Sequence, residues 1–279
     1  MPLPSNEKTF RQEDAPCAIY LYCIGSFSRL QTVSGPGIDE ERPLLLFPYR
    51  ELAAVVSMVE LSEFSGPSAA SRMEDLQWIG PRAWRHQSII EKTMQSSPVL
   101  PLHFGTIFHS FESLEERLRR HHGEILKFLL HTSGKEEWSV KGLISLERAR
   151  EVLCNQKLAE AADSLSPSPG TRHFQEQRLR MAAERSLNQW LQDLSEGISR
   201  NLIELGTEIR MRKIFPRGLL GDDRDMFLNW AILVPRELTL DVHACLECAN
   251  AEYSRYDASF SIGGPWPPYS FCPTLDGEV

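Results

Sequence analysis

Cys245 and Cys248 stand in the CxxC spacing that zinc sites and thiol–disulfide enzymes use. A structural zinc ion needs four ligands, and the six cysteines of the chain supply no second pair. Leu240 to Ala251 also reads as a helix rather than a knuckle, so both cysteines are expected to be helix residues with no ligand role. His121 and His122 are adjacent, and on a helix their side chains diverge by about 100° and miss a common metal. Asp222, Asp223 and Asp225 form an acidic turn after Gly221 without the ligand spacing or closing Glu of a calcium loop, so a solvated hairpin tip is expected. His103 is the one histidine set in an unusual run, Pro101 to Phe108, but a lone imidazole lacks the partners that acid–base catalysis requires. It reads as a satisfied core or interface residue. Gly263-Gly264 follows a strand and opens no helix, and no phosphate-loop, dinucleotide, nucleophile-elbow or HExxH motif occurs. No catalytic residue, metal or cofactor is therefore expected.

The totals narrow the class further. At 279 residues the chain is long enough for a sizeable core and for two domains. A formal charge of −8 argues against holding nucleic acid or an anionic membrane as a main task. Met1 to Pro16 is polar and lacks the apolar core of a signal peptide, and no apolar run reaches bilayer length, so a cytosolic chain is expected.

The elements that must position these residues follow from periodicity. Residues 1–16 read as disordered. Cys17 to Ile24 is an apolar, β-branched and aromatic run closed by Gly25, the pattern of a buried strand. Pro43 to Tyr49 and Leu52 to Val59 predict a hairpin, Ser62 to Ser71 a loop, and Arg72 to Ser96 a helix that Pro81 kinks or restarts. Val99 to Phe108 predicts a strand at an edge, with Gly105 marking a bulge or a close backbone approach. A helix over Ser113 to Thr132 and a strand over Trp138 to Ile144 complete a domain, 17–145, whose pattern resembles a ferredoxin-like sandwich with an added strand. A helical region, 146–206, contains a helix from about Thr171 to Leu205. Its residues Leu187, Trp190, Leu191, Leu194, Ile198, Leu202 and Leu205 recur at three and four, which predicts one apolar face seated on another helix or another protein. Residues 207–279 return to two strands, a helix and a strand.

The chain ends its ordered pattern in Gly264, Pro265, Trp266, Pro267, Pro268, Tyr269, Ser270 and Phe271. Each proline fixes its own φ and restricts the residue before it, so a rigid extended strap is expected, pinned by its aromatics as a clamp on the C-terminal domain. On that reading Trp266 is a buried anchor.

Four segments resemble the GvpF/GvpL family of gas-vesicle accessory proteins. They are Ile19 to Tyr22 with Leu52 to Ser57, Pro98 to Thr106, Glu137 to Lys141, and Gly264 to Phe271, in the family's order. The resemblance implies an α+β protein of two domains, an N-terminal ferredoxin-like variant and a C-terminal ferredoxin-like domain with additional long helices. It implies a non-enzymatic role in building the gas vesicle, in the cytoplasm and at the vesicle, with the shell protein and other accessory proteins as partners and neither nucleic acid nor membrane among them. His103 stands where the family pattern has arginine, which puts any charged contact there in doubt. The candidate interaction surfaces are Pro101, His103, Phe104 and Gly105 on the edge, and Leu187, Leu191, Leu194 and Ile198 on the long helix. Two rival readings stand beside this one. An enzyme on a ferredoxin-like fold would gather His103, Lys141 and Glu137 in a cleft, and a regulatory or nucleic-acid module would use an aromatic sheet face.

Overall fold

The computed structural model describes residues 16–218 and 223–275, and divides the chain into two units, Met1–Ser133 with Cys272–Val279 and Gly134–Phe271. The expected disordered residues 1–15 and Asp222 of the acidic turn lie outside the described residues.

In the first unit, β1 (Cys17–Ser26) is buried along nearly its whole length, because apolar side chains on both of its faces need cover. It pairs antiparallel with β3 (Leu52–Glu60), and β3 pairs with β2 (Leu44–Tyr49) across the two-residue turn Arg50-Glu51. The other side of β1 carries β4 (Val99–Pro101) and β5 (Ile107–Phe108). The single strand expected over residues 99–108 is thus two short strands joined by a turn. The loop expected over residues 62–71 is largely helical, with α1 (Leu61–Phe64) and α2 (Pro67–Glu74), whose proline sits at the start where its missing N–H costs nothing. The break before α3 (Leu76–Met94) falls at Asp75, whose carboxylate accepts from the Gln77 N–H, and Pro81 lies inside the helix. From α3 come His86, Ile89 and Ile90 to the core, and from α4 (Phe111–Thr132) come Leu114, Leu118 and Ile125.

In the second unit, β6 (Lys135–Ile144) is central: β8 (Asp225–Pro235) pairs on one side and β9 (Ala258–Trp266) on the other, with β7 (Glu208–Met211) outside β8. The sequence pattern has β6 close the first domain at residue 145, but its ladder partners lie about eighty to one hundred and thirty residues later, a pairing that no local pattern announces. The strand expected over Thr207 to Phe215 shortens to β7. Helices α5 (Leu146–Glu160), α6 (Pro169–Glu204) and α7 (Thr239–Tyr253) complete the unit. Counted within each sheet, the four main strands run second, third, first, fourth in both units. Among the described residues no helix is long and apolar enough to cross a membrane.

Candidate interaction site

The run from Pro98 to Phe108 is fixed to β1 by backbone and by a buried polar relay. The Leu102 N–H donates to Tyr22 O at 2.9 Å, and the Leu21 N–H donates to Thr106 O at 2.9 Å, so both ends of the turn are tied to the same strand. Inside the turn, the Thr106 hydroxyl donates to His103 O at 2.8 Å, and Gly105 sits at φ +86°, where a side chain would be strained. The Gly105 N–H donates to Tyr20 Oη at 3.0 Å. Tyr20 Oη lies 3.0 Å from His86 Nδ1, and His86 Nε2 lies 3.0 Å from Leu102 O. One proton arrangement satisfies every group: a neutral imidazole donates from Nε2 to the carbonyl and accepts the tyrosine proton at Nδ1. Burial holds the imidazole well below its ordinary range, at about 4, which keeps that arrangement at neutral pH. Beside it, Tyr22 donates to or accepts from Ser57 Oγ at 2.7 Å, and burial raises the Tyr22 phenol to about 12.

This frame decides what the turn shows. Pro101 and Leu102 are buried, Phe104 and Gly105 are half-buried, and His103 is exposed. Phe104 rests edge-on against Tyr20 and His86, with ring centroids 6.2 and 5.8 Å away. His103 is therefore not a core histidine. His86 and His121 are the buried ones among the described residues, and sequence reasoning missed the role of His86 because its partners lie 66 and 16 residues away and form no motif.

Of the two destinations its stripe predicts, another helix or another protein, the long helix takes the first, seated on α5 and α7 as well as on the sheet. Leu194, Ile198 and Leu202 belong to a core with Val140, Trp230, Ile232 and Val242, and Leu187 belongs to a second cluster with Ile144, Ala149 and Leu153. Leu191 is half-buried against that second cluster. Leu187, Leu191, Leu194 and Ile198 are thus committed within their own unit, where α6 and α7 together cover one face of the sheet, and they offer no docking face.

The strap is partly strand. β9 reaches Trp266, which pairs with Glu137 across a register irregularity between Glu137 and Ser139. Prolines are tolerated because β9 is an edge strand. The Gly264–Pro265 bond is cis, and Gly264 sits at φ +150°, where an added Cβ would come within 3.0 Å of the Trp138 ring and 3.1 Å of Glu137 O. Trp266 is 43% exposed, so it is not the buried anchor; the fold buries Pro267, Pro268 and Phe271 instead. Tyr269 is half-buried and opens a short turn ending at Phe271. That turn is held by Glu137: its Oε2 accepts from the Ser270 N–H at 2.9 Å, and its Oε1 accepts from the Ser270 hydroxyl at 2.9 Å and from Arg212 at 2.5 Å. Burial pushes the Glu137 carboxyl above its usual range, against the Ser270 hydrogen bonds and the Arg212 charge. Arg210 lies over the Phe271 ring at 5.2 Å.

No group of three or more His, Cys, Asp or Glu side chains suited to a metal occurs among the described residues. Cys245 and Cys248 are on α7, as their helical context predicts.

The fold places the chain among proteins of known structure. It superposes on the crystal structure of the gas vesicle protein GvpF from Anabaena sp. PCC7120 with a TM-score of 0.68 at 17% identity, covering 92% of this chain and 98% of that one. The GvpF structure from Microcystis aeruginosa gives a TM-score of 0.64 at 17% identity, covering 92% and 99%. In sequence, the chain is 26% identical over 269 residues to gas vesicle protein L of a Streptomyces species, covering 93% of this chain and 94% of the relative. It is 22% identical over 287 residues to gas vesicle protein L1 of Halobacterium salinarum, covering 98% of each. The family described as "Gas vesicle synthesis protein GvpL/GvpF" matches residues 18–273. The chain belongs to that family, and its role lies in gas-vesicle assembly.

Proposed function

We propose that this chain works in gas-vesicle assembly without catalysis, as a protein that engages the small apolar shell subunit or another accessory protein through the Leu102 to Thr106 turn. One observation carries the reading. Tyr20 and His86, fully buried polar groups of the kind that chemistry often recruits, are spent on holding the backbone of that turn, while His103 projects outward. A turn held from both ends presents a fixed shape, which lowers the ordering cost of binding. The enzyme reading is weakened by Glu137, one of the three polar residues it would gather, whose carboxylate is consumed by Arg212 and Ser270.

The test is complementation. In a host whose gas-vesicle genes include this one, the gene is deleted and replaced by the wild-type or the His103→Glu/Phe104→Ala version. Vesicle yield restored by wild type but not by a variant that accumulates to the same level supports the proposal. Equal yield from both removes the turn as the working surface.

A further inference from the structure

We infer that the outer edge of β7 is a second binding site, which takes an extended peptide segment of alternating apolar and acidic residues as an added strand. The site lies in the second unit and does not depend on the Leu102 to Thr106 turn. β7 ends its sheet, and the Arg212 N–H donates inward to Asn229 O at 2.8 Å. Alternation along an antiparallel ladder then turns the N–H and C=O groups of Ile209 and Met211 outward, where no other described strand meets them. Such an edge is a template for strand addition.

Side chains specify what the added strand carries. Beside the edge, between β7 and the end of α6, is a cleft of about 540 Å³ that includes Ser195, Ser199, Ile203, Ile209, Met211 and Trp230. Met211 is 86% exposed and Ile203 56%, a local apolar surface with no described element over it. Glu196, Arg200 and Glu204 also line this cleft, two acids to one cation, so a carboxylate gains nothing there and the apolar Ile203, Ile209, Met211 and Trp230 call for apolar side chains on the face toward α6. Beyond Glu208, whose carboxylate pairs with Lys135, the strand and its continuation, Arg210-Met-Arg-Lys-Ile-Phe-Pro-Arg217, hold four cations and no acid in a chain whose net charge is −8. Lys213 pairs with no acid among the described residues, Arg217 reaches Asp225 only at 4.0 Å, and Arg210 lies on the sheet face opposite the cleft. Acidic side chains on that face, and on the residues running past Lys213 and Arg217, complete the match. A phosphate backbone would meet the cations, but it would leave the apolar cleft and the strand edge unused.

The probe is a fluorescently labelled eight-residue peptide of alternating Val and Glu, followed by polarisation against the full chain. A peptide with Lys in place of Glu, phosphatidylglycerol vesicles and a single-stranded oligonucleotide are run in parallel. Met211→Pro removes an outward N–H without touching the ladder to β8, and Lys213→Glu/Arg217→Glu reverses the exposed charge. Both are checked for a native thermal transition, and the charge variant alone decides if the proline variant does not fold. The expected result is binding of the Glu peptide, weakened roughly tenfold or more by either variant, with little binding of the Lys peptide. Equal binding of both peptides, unchanged affinity in the folded variants, or capture of only vesicles or oligonucleotide overturns the inference. So does concentration-dependent dimerisation abolished by Met211→Pro, which would assign the edge to a second copy.

Discussion

Tyr20 and His86 meet at 3.0 Å inside the first unit, and through them the amide of Gly105 and the carbonyl of Leu102 are tied to one neutral imidazole. Acid should undo that tie. The folded protein holds His86 near 4, whereas an exposed histidine titrates near 6.5, so between those values the unfolded chain binds more protons. The stabilisation is therefore full above about pH 6.5 and is lost as pH falls toward 4, by on the order of 3 kcal/mol. Denaturant titrations from pH 7 to pH 4 on wild type and on His86→Gln should show this slope in the first and a shallower one in the second.

Tyr20→Phe keeps the ring packing and removes the hydroxyl that serves both Gly105 and His86. A loss of about 2 kcal/mol is expected, since the buried His86 Nδ1 and the half-buried Gly105 N–H are left unpaired. Amide hydrogen exchange should quicken at Gly105; stability and exchange matching wild type would show that the hydroxyl holds nothing.

The strap is held by its buried members. Phe271→Ala is expected to cost about 3 kcal/mol as a large buried aromatic, whereas Trp266→Ala, half in solvent, should cost roughly 1 kcal/mol. Chemical denaturation of the two variants orders them, and a larger loss for Trp266→Ala would contradict the packing described.

Glu137→Ala leaves Arg212 without its carboxylate and the Ser270 N–H without its acceptor. The expected destabilisation is on the order of 3 kcal/mol. Glu137→Gln, which keeps an acceptor, should recover part of it in the same melting experiment.

Local pattern made most elements legible. Alternation and apolar runs found β1, β8 and the β2–β3 hairpin, and the three-and-four spacing found α6, because each signal is written within a few consecutive residues. Destinations were less legible. The stripe of Leu187 to Leu202 looks the same whether it meets a partner or its own sheet, and only the pairing of β6 with β8 and β9 creates the sheet face that it covers. β6 itself reads as a strand but not as the second unit's centre, since its register is set by residues far along the chain. His86 carried no signal at all: a histidine between Arg85 and Gln87 on a helix becomes special only when Tyr20 and Leu102 arrive from elsewhere. In the strap, composition pointed to rigidity, but side-chain burial there follows from Glu137 and Arg212, which gather Ser270 inward and leave Trp266 outside.

Binding through the Leu102 to Thr106 turn is tested most directly by co-purification. The shell subunit is co-expressed with tagged wild type and with the His103→Glu/Phe104→Ala variant, a pair matched for folding by thermal midpoint, and the retained subunit is quantified alongside the other accessory proteins. Retention of the shell subunit or an accessory protein by wild type, and its loss from the folded variant, is the predicted result. Equal retention by both would contradict it, because the one exposed surface that the buried relay holds in shape would then not be the surface that binds.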